Sequence, residues 1–254
     1  MKIRLLGSSL QEPRHRQYVT GCLINGTVAI DAGSLGFHGT PQDQEAVRHV
    51  FLTHTHADHT ASLPIFVENA WTPTDSCPVI YGSAETLEGV QRHIFNDVMW
   101  PDFVALSKKT PPFLRLCPLR PQVPVEVDGL RITPVQVNHL VPTVGYVVSD
   151  GKSAVVVSGD TGPTTRLWEV AHKTSGLKAI FLEACFPNSL KGLAEASMHL
   201  TPEMFCREVA KMPTGVRVIA VHIKVRYREQ VIRELFALGL PNLEIGEFER
   251  EYEF

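Results

Sequence analysis

Several features are scarce in this chain, and each scarcity removes a class of protein. No segment approaches the roughly 18 consecutive apolar residues that a membrane span needs, and Met1-Lys2-Ile3-Arg4-Leu5-Leu6 is too short an apolar run for a secretory signal. A cytoplasmic protein with no membrane partner is expected. The five cysteines, Cys22, Cys77, Cys117, Cys185 and Cys206, are scattered and form no Cys-x-x-Cys pair. That spacing argues against a disulfide framework and a thiolate zinc site and fits a reducing compartment. The charge is not strongly of one sign: a formal net of -3 gives no general attraction to nucleic acid. No low-complexity tract or short-period repeat interrupts the chain, so one domain over residues 1–254 is expected.

The remainder reads as an ordinary globular protein. With 254 residues, 44% hydrophobic and 20% charged, the chain can bury a full core. Lys2 to Leu6, Tyr18 to Ile24 and Thr27 to Ile30 read as strands. The last two are joined by Asn25-Gly26, a strong hairpin signal, so the sheet starts antiparallel. Val50 to Leu52 reads as a buried strand, Ala61 to Asn69 as a helix, Val79 to Tyr81 as a strand and Ala84 to Phe95 as a helix. From Asn96 to Pro124 prolines recur at 101, 111, 112, 118, 121 and 124, and this stretch reads as a long connection of the kind that serves as a lid or binding loop. Phe95, Trp100 and Phe103 at its start offer either a platform for a nucleobase or, the favoured reading, core packing. Strands follow at Leu130 to Val137, Thr143 to Ser149, Ser153 to Ser158, Lys178 to Glu183 and Arg217 to Val221. The second and third of these form a hairpin across Asp150-Gly151. Helices are expected over Pro163 to His172, Pro202 to Lys211 with Thr201 as N-cap, and Tyr227 to Leu238.

The chemistry concentrates in Thr53-His54-Thr55-His56-Ala57-Asp58-His59, directly after a buried strand. Three imidazoles and a carboxylate in six residues are hard to explain by packing. His54 and His56, two apart, project to one side of an extended loop and can grip one cation; Asp58 and His59 point elsewhere, which suits a second. Nitrogen and oxygen donors without a thiolate favour zinc, with manganese or iron as alternatives. A solvated His-rich turn is the bland alternative, and this spacing argues against it.

His54-x-His56-x-Asp58-His59 resembles the signature of the metallo-β-lactamase superfamily, and partners follow in order: His139 in Val137-Asn138-His139, Asp160 in Ser158-Gly159-Asp160-Thr161, and His222 in Ala220-Val221-His222-Ile223-Lys224. Each falls just after an expected strand, and strand ends in a layered α/β fold face one rim. The resemblance implies an α/β (α+β) fold, the four-layer αββα sandwich. It also implies two divalent cations about 3.5–4 Å apart, one held by His54, His56 and His139 and the other by Asp58, His59 and His222, with Asp160 as bridge and Asp58 also orienting the attacking water. Asp31 is implied as a support for a metal-bound histidine, with a turn-capping role equally open. The lactamase branch commonly has cysteine where this chain has Asp160, so antibiotic hydrolysis is a minor option.

Phe181-Leu182-Glu183-Ala184-Cys185-Phe186-Pro187-Asn188 and Met198-His199-Leu200-Thr201 narrow the resemblance to the phosphodiesterase branch. There a Glu at a strand end orients a His that protonates the departing oxygen; Glu183 and His199 match. Lys224, Arg226 and Arg228 add positive charge after His222; a solvated face is the favoured reading, with Lys224 kept as a candidate phosphate contact. His15, His38, His49, His93 and His172 fit no ligand spacing.

Ribonuclease Z-like enzymes share these motifs but carry a tRNA-binding arm between the positions of His139 and Asp160, where this chain has only 20 residues. The chain looks more like the class II 3',5'-cyclic-nucleotide phosphodiesterases, although Val225 stands where a proline often follows Lys224. The expected reaction is hydrolysis of a cyclic nucleotide, cyclic AMP foremost, to its 5'-monophosphate. The small cyclic nucleotide is the expected partner, a homodimer an expected assembly. A tRNA-processing nuclease and a metal-binding regulatory protein without turnover are the alternatives.

Overall fold

A computed structural model describes residues 1–7 and 19–254. Ser8, His15 and Tyr18, the expected start of the second strand, lie outside the described residues. The described chain divides into two compact units. Residues 1–7, 19–120 and 248–253 make the first; residues 121–247 with Phe254 make the second.

In the first unit the strands are β1 (Lys2–Leu5), β2 (Cys22–Ile24), β3 (Val28–Ile30), β4 (His49–Phe51), β5 (Val79–Gly82) and β6 (Arg115–Pro118). The sheet begins antiparallel, as the turn at Asn25-Gly26 requires. Both turn residues take positive φ, 51° and 77°, the conformation that matches the right-handed twist of a two-residue hairpin. From β3 onward the pairings β3–β4, β4–β5 and β5–β6 are parallel. The second unit holds β7 (Val125–Val127), β8 (Leu130–Gln136), β9 (Val144–Ser149), β10 (Ala154–Val157), β11 (Leu177–Glu183), β12 (Arg217–Val221) and β13 (Leu243–Ile245). Its order is β13-β12-β11-β10-β9-β8-β7, antiparallel among β7 to β10 and parallel among β10 to β13. The chain then returns to the first sheet, where β14 (Glu251–Glu253) pairs antiparallel with β1.

The helices are α1 (Pro41–Glu45), α2 (Ala57–Thr60), α3 (Leu63–Asn69), α4 (Ala84–His93), α5 (Phe103–Leu106), α6 (Arg166–Lys173), α7 (Lys191–Ala196), α8 (Pro202–Val209) and α9 (Arg228–Ala237). They cover the apolar faces of their own unit's sheet. Phe66 and Val67 of α3 and Leu87 and Val90 of α4 join Val50, Leu52 and Ile80 in one cluster. Leu167 and Trp168 of α6, Met204 and Phe205 of α8, and Val231 and Leu235 of α9 join Val156, Ile180 and Ala220 in the other. Near-continuous burial along β9 and β11 is the pattern of strands covered on both faces.

Several expectations shift. The helix expected over Ala61 to Asn69 starts earlier, at Ala57, and breaks into α2 and α3, with Pro64 in the first turn of α3 where its missing N–H is harmless. The connection expected over residues 96–124 contains α5 and the edge strand β6, whose exposed and half-buried residues hid its period. Phe95 and Phe103 are buried, their ring centroids 5.8 Å apart, and Phe103 stacks on Phe113 at 4.2 Å. These rings form core, as favoured, and offer no base platform. The α7 segment was not anticipated. Thr201 caps α8 as expected, accepting from the Met204 N–H at 3.4 Å.

Candidate metal and catalytic site

In the first unit the parallel register Ile30↔Phe51 sets the end of β3 beside the start of the histidine loop. Asp31, in left-handed backbone with φ 61°, is thereby placed under that loop. Its Oδ1 accepts the Thr53 N–H at 2.8 Å, its Oδ2 accepts the Thr53 hydroxyl at 2.9 Å, and Oδ2 lies 2.7 Å from His59 Nδ1. Thr53 Oγ1 lies 2.9 Å from His54 Nδ1. These contacts settle the tautomers. A carboxylate only accepts, so His59 carries its proton on Nδ1. The single Thr53 hydroxyl proton goes to Asp31, so its oxygen accepts from His54 Nδ1–H. In both rings Nε2 then carries the lone pair, the arrangement a metal-ligating histidine requires.

Burial pushes the Asp31 carboxyl up, against the lowering effect of His59 and of the hydrogen bonds from Thr53. His54, His56 and His59 gather closely, with the His54 ring centroid 4.6 Å from His56 and 4.2 Å from His59. His56 is the N-cap of α2, Asp58 lies in its first turn and His59 in its last. Asp31 thus acts on His59 rather than as a simple turn cap.

In the second unit the parallel neighbours β10, β11 and β12 bring their C-terminal ends side by side. Asp160 follows β10, Glu183 ends β11 and His222 follows β12. Sheet pairing alone therefore assembles three of the expected groups. Asp160 Oδ2 is 3.3 Å from His222 Nε2 and 4.0 Å from His199 Nε2. His199, on the turn between α7 and α8, sets Nδ1 2.8 Å from Glu183 Oε1. The same oxygen accepts the Thr161 N–H at 2.7 Å, and Oε2 accepts the Leu200 N–H at 3.1 Å. One buried carboxylate therefore fixes both the Asp160 turn and the His199 turn. The His139 ring centroid lies 5.0 Å from that of His199, and its Nδ1 donates to the Met198 carbonyl at 3.0 Å. His139 too is left with Nε2 as its ligating nitrogen.

Met198 and His222 adopt positive φ, 52° and 54°. Left-handed backbone in non-glycine residues costs on the order of 1–3 kcal/mol and clusters at functional sites.

Burial alone would lower the His199 pKa. The charge of Glu183, its hydrogen bond and the charge of Asp160 outweigh burial and the repulsion from Lys224, and the imidazole is held above its ordinary value. Glu183 is raised by burial, against the opposing pull of His199. Both partners thus hold a proton more tightly than in water. Lys224 donates its backbone N–H to the Cys185 carbonyl at 3.2 Å, and its charge reaches His199.

Each unit therefore brings its own expected residues together: His54, His56, Asp58 and His59 in the first, and His139, Asp160, Glu183, His199 and His222 in the second. Thr53, Thr161 and Met198 were not anticipated. A threonine directly before the first ligand is a legible signal for a supporting hydroxyl; a left-handed methionine leaves none. The donors fit divalent cations, being imidazoles with settled tautomers and carboxylates, and such His/Asp clusters could hold metal.

Two mixed sheets with helices, bearing histidines and carboxylates at their strand ends, define the α/β metallo-β-lactamase fold, a fold of metal-dependent hydrolases. The chain belongs to the β-lactamase superfamily, whose domain profile matches residues 26–223. A probable 3',5'-cyclic-nucleotide phosphodiesterase of Yersinia pestis is 26% identical over 220 residues, covering 76% of this chain and 62% of that protein. The chain thus spans about three fifths of that relative's length. A ribonuclease Z of Pseudomonas putida is 30% identical over 111 residues, 44% of this chain and 32% of that one. The crystal structure of unliganded yeast PDE1 superposes with a TM-score of 0.77 at 20% identity, covering 98% of each chain. Among the described residues no helix is long and apolar enough to cross a membrane.

Proposed function

We propose that the chain is a cytoplasmic phosphodiesterase that hydrolyses 3',5'-cyclic nucleotides, cyclic AMP foremost, to 5'-monophosphates, its two units acting as one domain. The observation that carries this reading is His199, backed by Glu183 and standing 4.0 Å from Asp160. Phosphoester hydrolysis that expels an alkoxide needs a proton donor beside the anionic centre, and a carboxylate-oriented imidazole supplies one. The superfamily profile, which runs through both units, and the name of the Yersinia pestis relative support it further.

In this reading His54, His56 and His139 would hold one divalent cation, zinc foremost, and Asp58, His59 and His222 a second, with Asp160 shared. When bound, such a pair supplies positive charge that polarises a phosphoryl group and acidifies a water. Asp31 and Thr53 keep the supporting rings in the ligating tautomer. Asp58 accepts a hydrogen bond from the attacking water and orients it. His199, protonated on Nε2, gives that proton to the 3' oxygen as its bond to phosphorus breaks. Glu183 holds the ring throughout, and Lys224 adds positive potential for the phosphate.

Ribonuclease Z-like processing is the second reading, favoured by the Pseudomonas putida relative. Against it, the stretch from His139 to Asp160 is filled by β9 and β10. The test is to incubate purified protein with zinc or manganese and cyclic AMP and to assay 5'-AMP, in parallel with a 3'-extended tRNA precursor. Release of 5'-AMP supports the first reading and trimming of the precursor the second; inertness toward both leaves a metal-binding regulatory protein. His199→Ala should retain metal and lose about 10²–10⁴-fold in turnover; unchanged turnover removes the acid assignment.

A further inference from the structure

Cys185 lies two residues beyond the end of β11 and is fully buried. Its backbone is pinned on both sides, its N–H donating to the Leu200 carbonyl at 3.0 Å and its carbonyl accepting from Lys224. This fixes the thiol against two turns that carry imidazoles. Ligand atoms of Cys185, His199 and His222 all lie within 4.8 Å of one another. The rings of His199 and His222 are nearly parallel, at 20° with centroids 5.7 Å apart.

We propose that Cys185, His199 and His222 form a site for a thiophilic d¹⁰ cation, zinc in excess or cadmium, which adds a thiolate, shares His222 with the second His/Asp cation and competes with it for that ring, and that its occupancy shuts down proton transfer by His199. Sulfur is the decisive addition. Every group assigned to the proposed hydrolytic cations is an imidazole or a carboxylate, which suits zinc, manganese or iron alike. A thiolate selects soft and borderline cations, and zinc is commonly held by thiolates and imidazoles together. His199 Nδ1 is committed to Glu183, so Nε2 is the nitrogen that would ligate, and it is the atom whose proton the hydrolytic reading uses. A cation there and a proton there exclude each other.

The coordination balances simply. The thiol and the Nε2–H of the His199 imidazolium each give up a proton to solvent, the thiolate and the two imidazole lone pairs bind the cation, and no redox partner is needed. The binding half rests on this geometry alone. The inhibitory half rests on His199 being the acid.

The test keeps the halves apart. Cadmium is titrated into the zinc-loaded chain while sulfur-to-metal charge-transfer absorption in the ultraviolet and cyclic AMP hydrolysis are followed on the same samples. One thiolate–cadmium chromophore per chain is expected, absent in Cys185→Ala and in the size-conserving Cys185→Ser, and at least tenfold weaker in apparent affinity in His199→Ala. Each Cys185 variant, measured against its own cadmium-free rate, should need at least tenfold more cadmium for half inhibition. Absorption that survives in both Cys185 variants, or that is indifferent to His199→Ala, overturns the site. A chromophore that saturates without loss of hydrolysis overturns the inhibitory role. Should cyclic AMP not be a substrate at all, the absorption series still decides the site, and the failure then belongs to the proposed function.

Discussion

Glu183 Oε1 stands 2.8 Å from His199 Nδ1 at the end of β11, inside a site where the carboxylate has no contact with solvent. Desolvation works against the imidazolium, but the buried charge of Glu183, its hydrogen bond and the charge of Asp160 together outweigh it and make the ring a better proton holder.

The first prediction concerns pH. His199 acts in its protonated form, so turnover should fall on the alkaline side as pH rises through its elevated pKa. Glu183→Gln removes the charge that raises this pKa while burial, which lowers it, remains. The alkaline limb should therefore move to lower pH. A kcat profile from pH 5 to 10 in both proteins checks the sign; a limb that stays put or moves upward would show that His199 is not the group titrating.

The second concerns Asp31. Its carboxylate fixes the tautomer of His59 directly and that of His54 through Thr53. Asp31→Asn keeps the size but can present an N–H to rings that must donate. Loss of such a supporting partner typically costs 10–100-fold in metal affinity. Competition of the bound cations against a chelator, read by elemental analysis, measures this without any assay of turnover. Affinity unchanged within twofold would sink the role.

These two cases mark what the sequence makes legible. The His54 to His59 loop can be read because ligand chemistry is dense and local there, and His139, Asp160 and His222 because each follows an apolar run that reads as a strand. Glu183 and His199 required family resemblance to be paired, since 16 residues separate them. Met198 could not be found: what it contributes is a backbone carbonyl, and a positive φ has no signature in a methionine. The strand β6 was lost for a related reason. It is an edge strand, half exposed and bounded by prolines, and neither alternation nor a continuous apolar run marks it.

A third prediction addresses stability. Glu208 is buried and accepts from Trp168 Nε1 at 2.7 Å, from the Thr164 N–H at 3.2 Å and from Lys211 Nζ at 2.6 Å. Glu208→Ala strands an indole N–H and an amide N–H, while the Lys211 ammonium keeps the Thr164 carbonyl at 3.0 Å and its exposure to solvent. Each buried donor left without a partner costs about 1–3 kcal/mol. Lys211→Met should cost less, because the Lys211 side chain is 39% exposed and two neutral donors still satisfy the carboxylate. Urea denaturation of the three proteins orders them; a Glu208→Ala loss below that of Lys211→Met would refute this network.

The last prediction contrasts two glycines. A Cβ on Gly33 would sit 2.0 Å from the Asp58 carbonyl oxygen and 2.6 Å from that of Thr20, both backbone atoms. Neither can swing aside as a side-chain tip would, so Gly33→Ala must push the turn carrying Asp58 and His59. Overpacking of this kind costs about 1–3 kcal/mol. Because the displaced backbone carries candidate ligands, cation affinity should fall along with stability. Gly192 is exposed within α7 and a Cβ there meets nothing within 4 Å. Gly192→Ala should stabilise by about 0.5–1 kcal/mol, since alanine has less backbone freedom to lose in a helix. Thermal unfolding in chelator and in zinc separates the effects: the gain in melting temperature on adding zinc should shrink for Gly33→Ala and stay unchanged for Gly192→Ala. Equal zinc-dependent gains in the two variants would mean that the close approach of Gly33 to Asp58 has no bearing on the ligands.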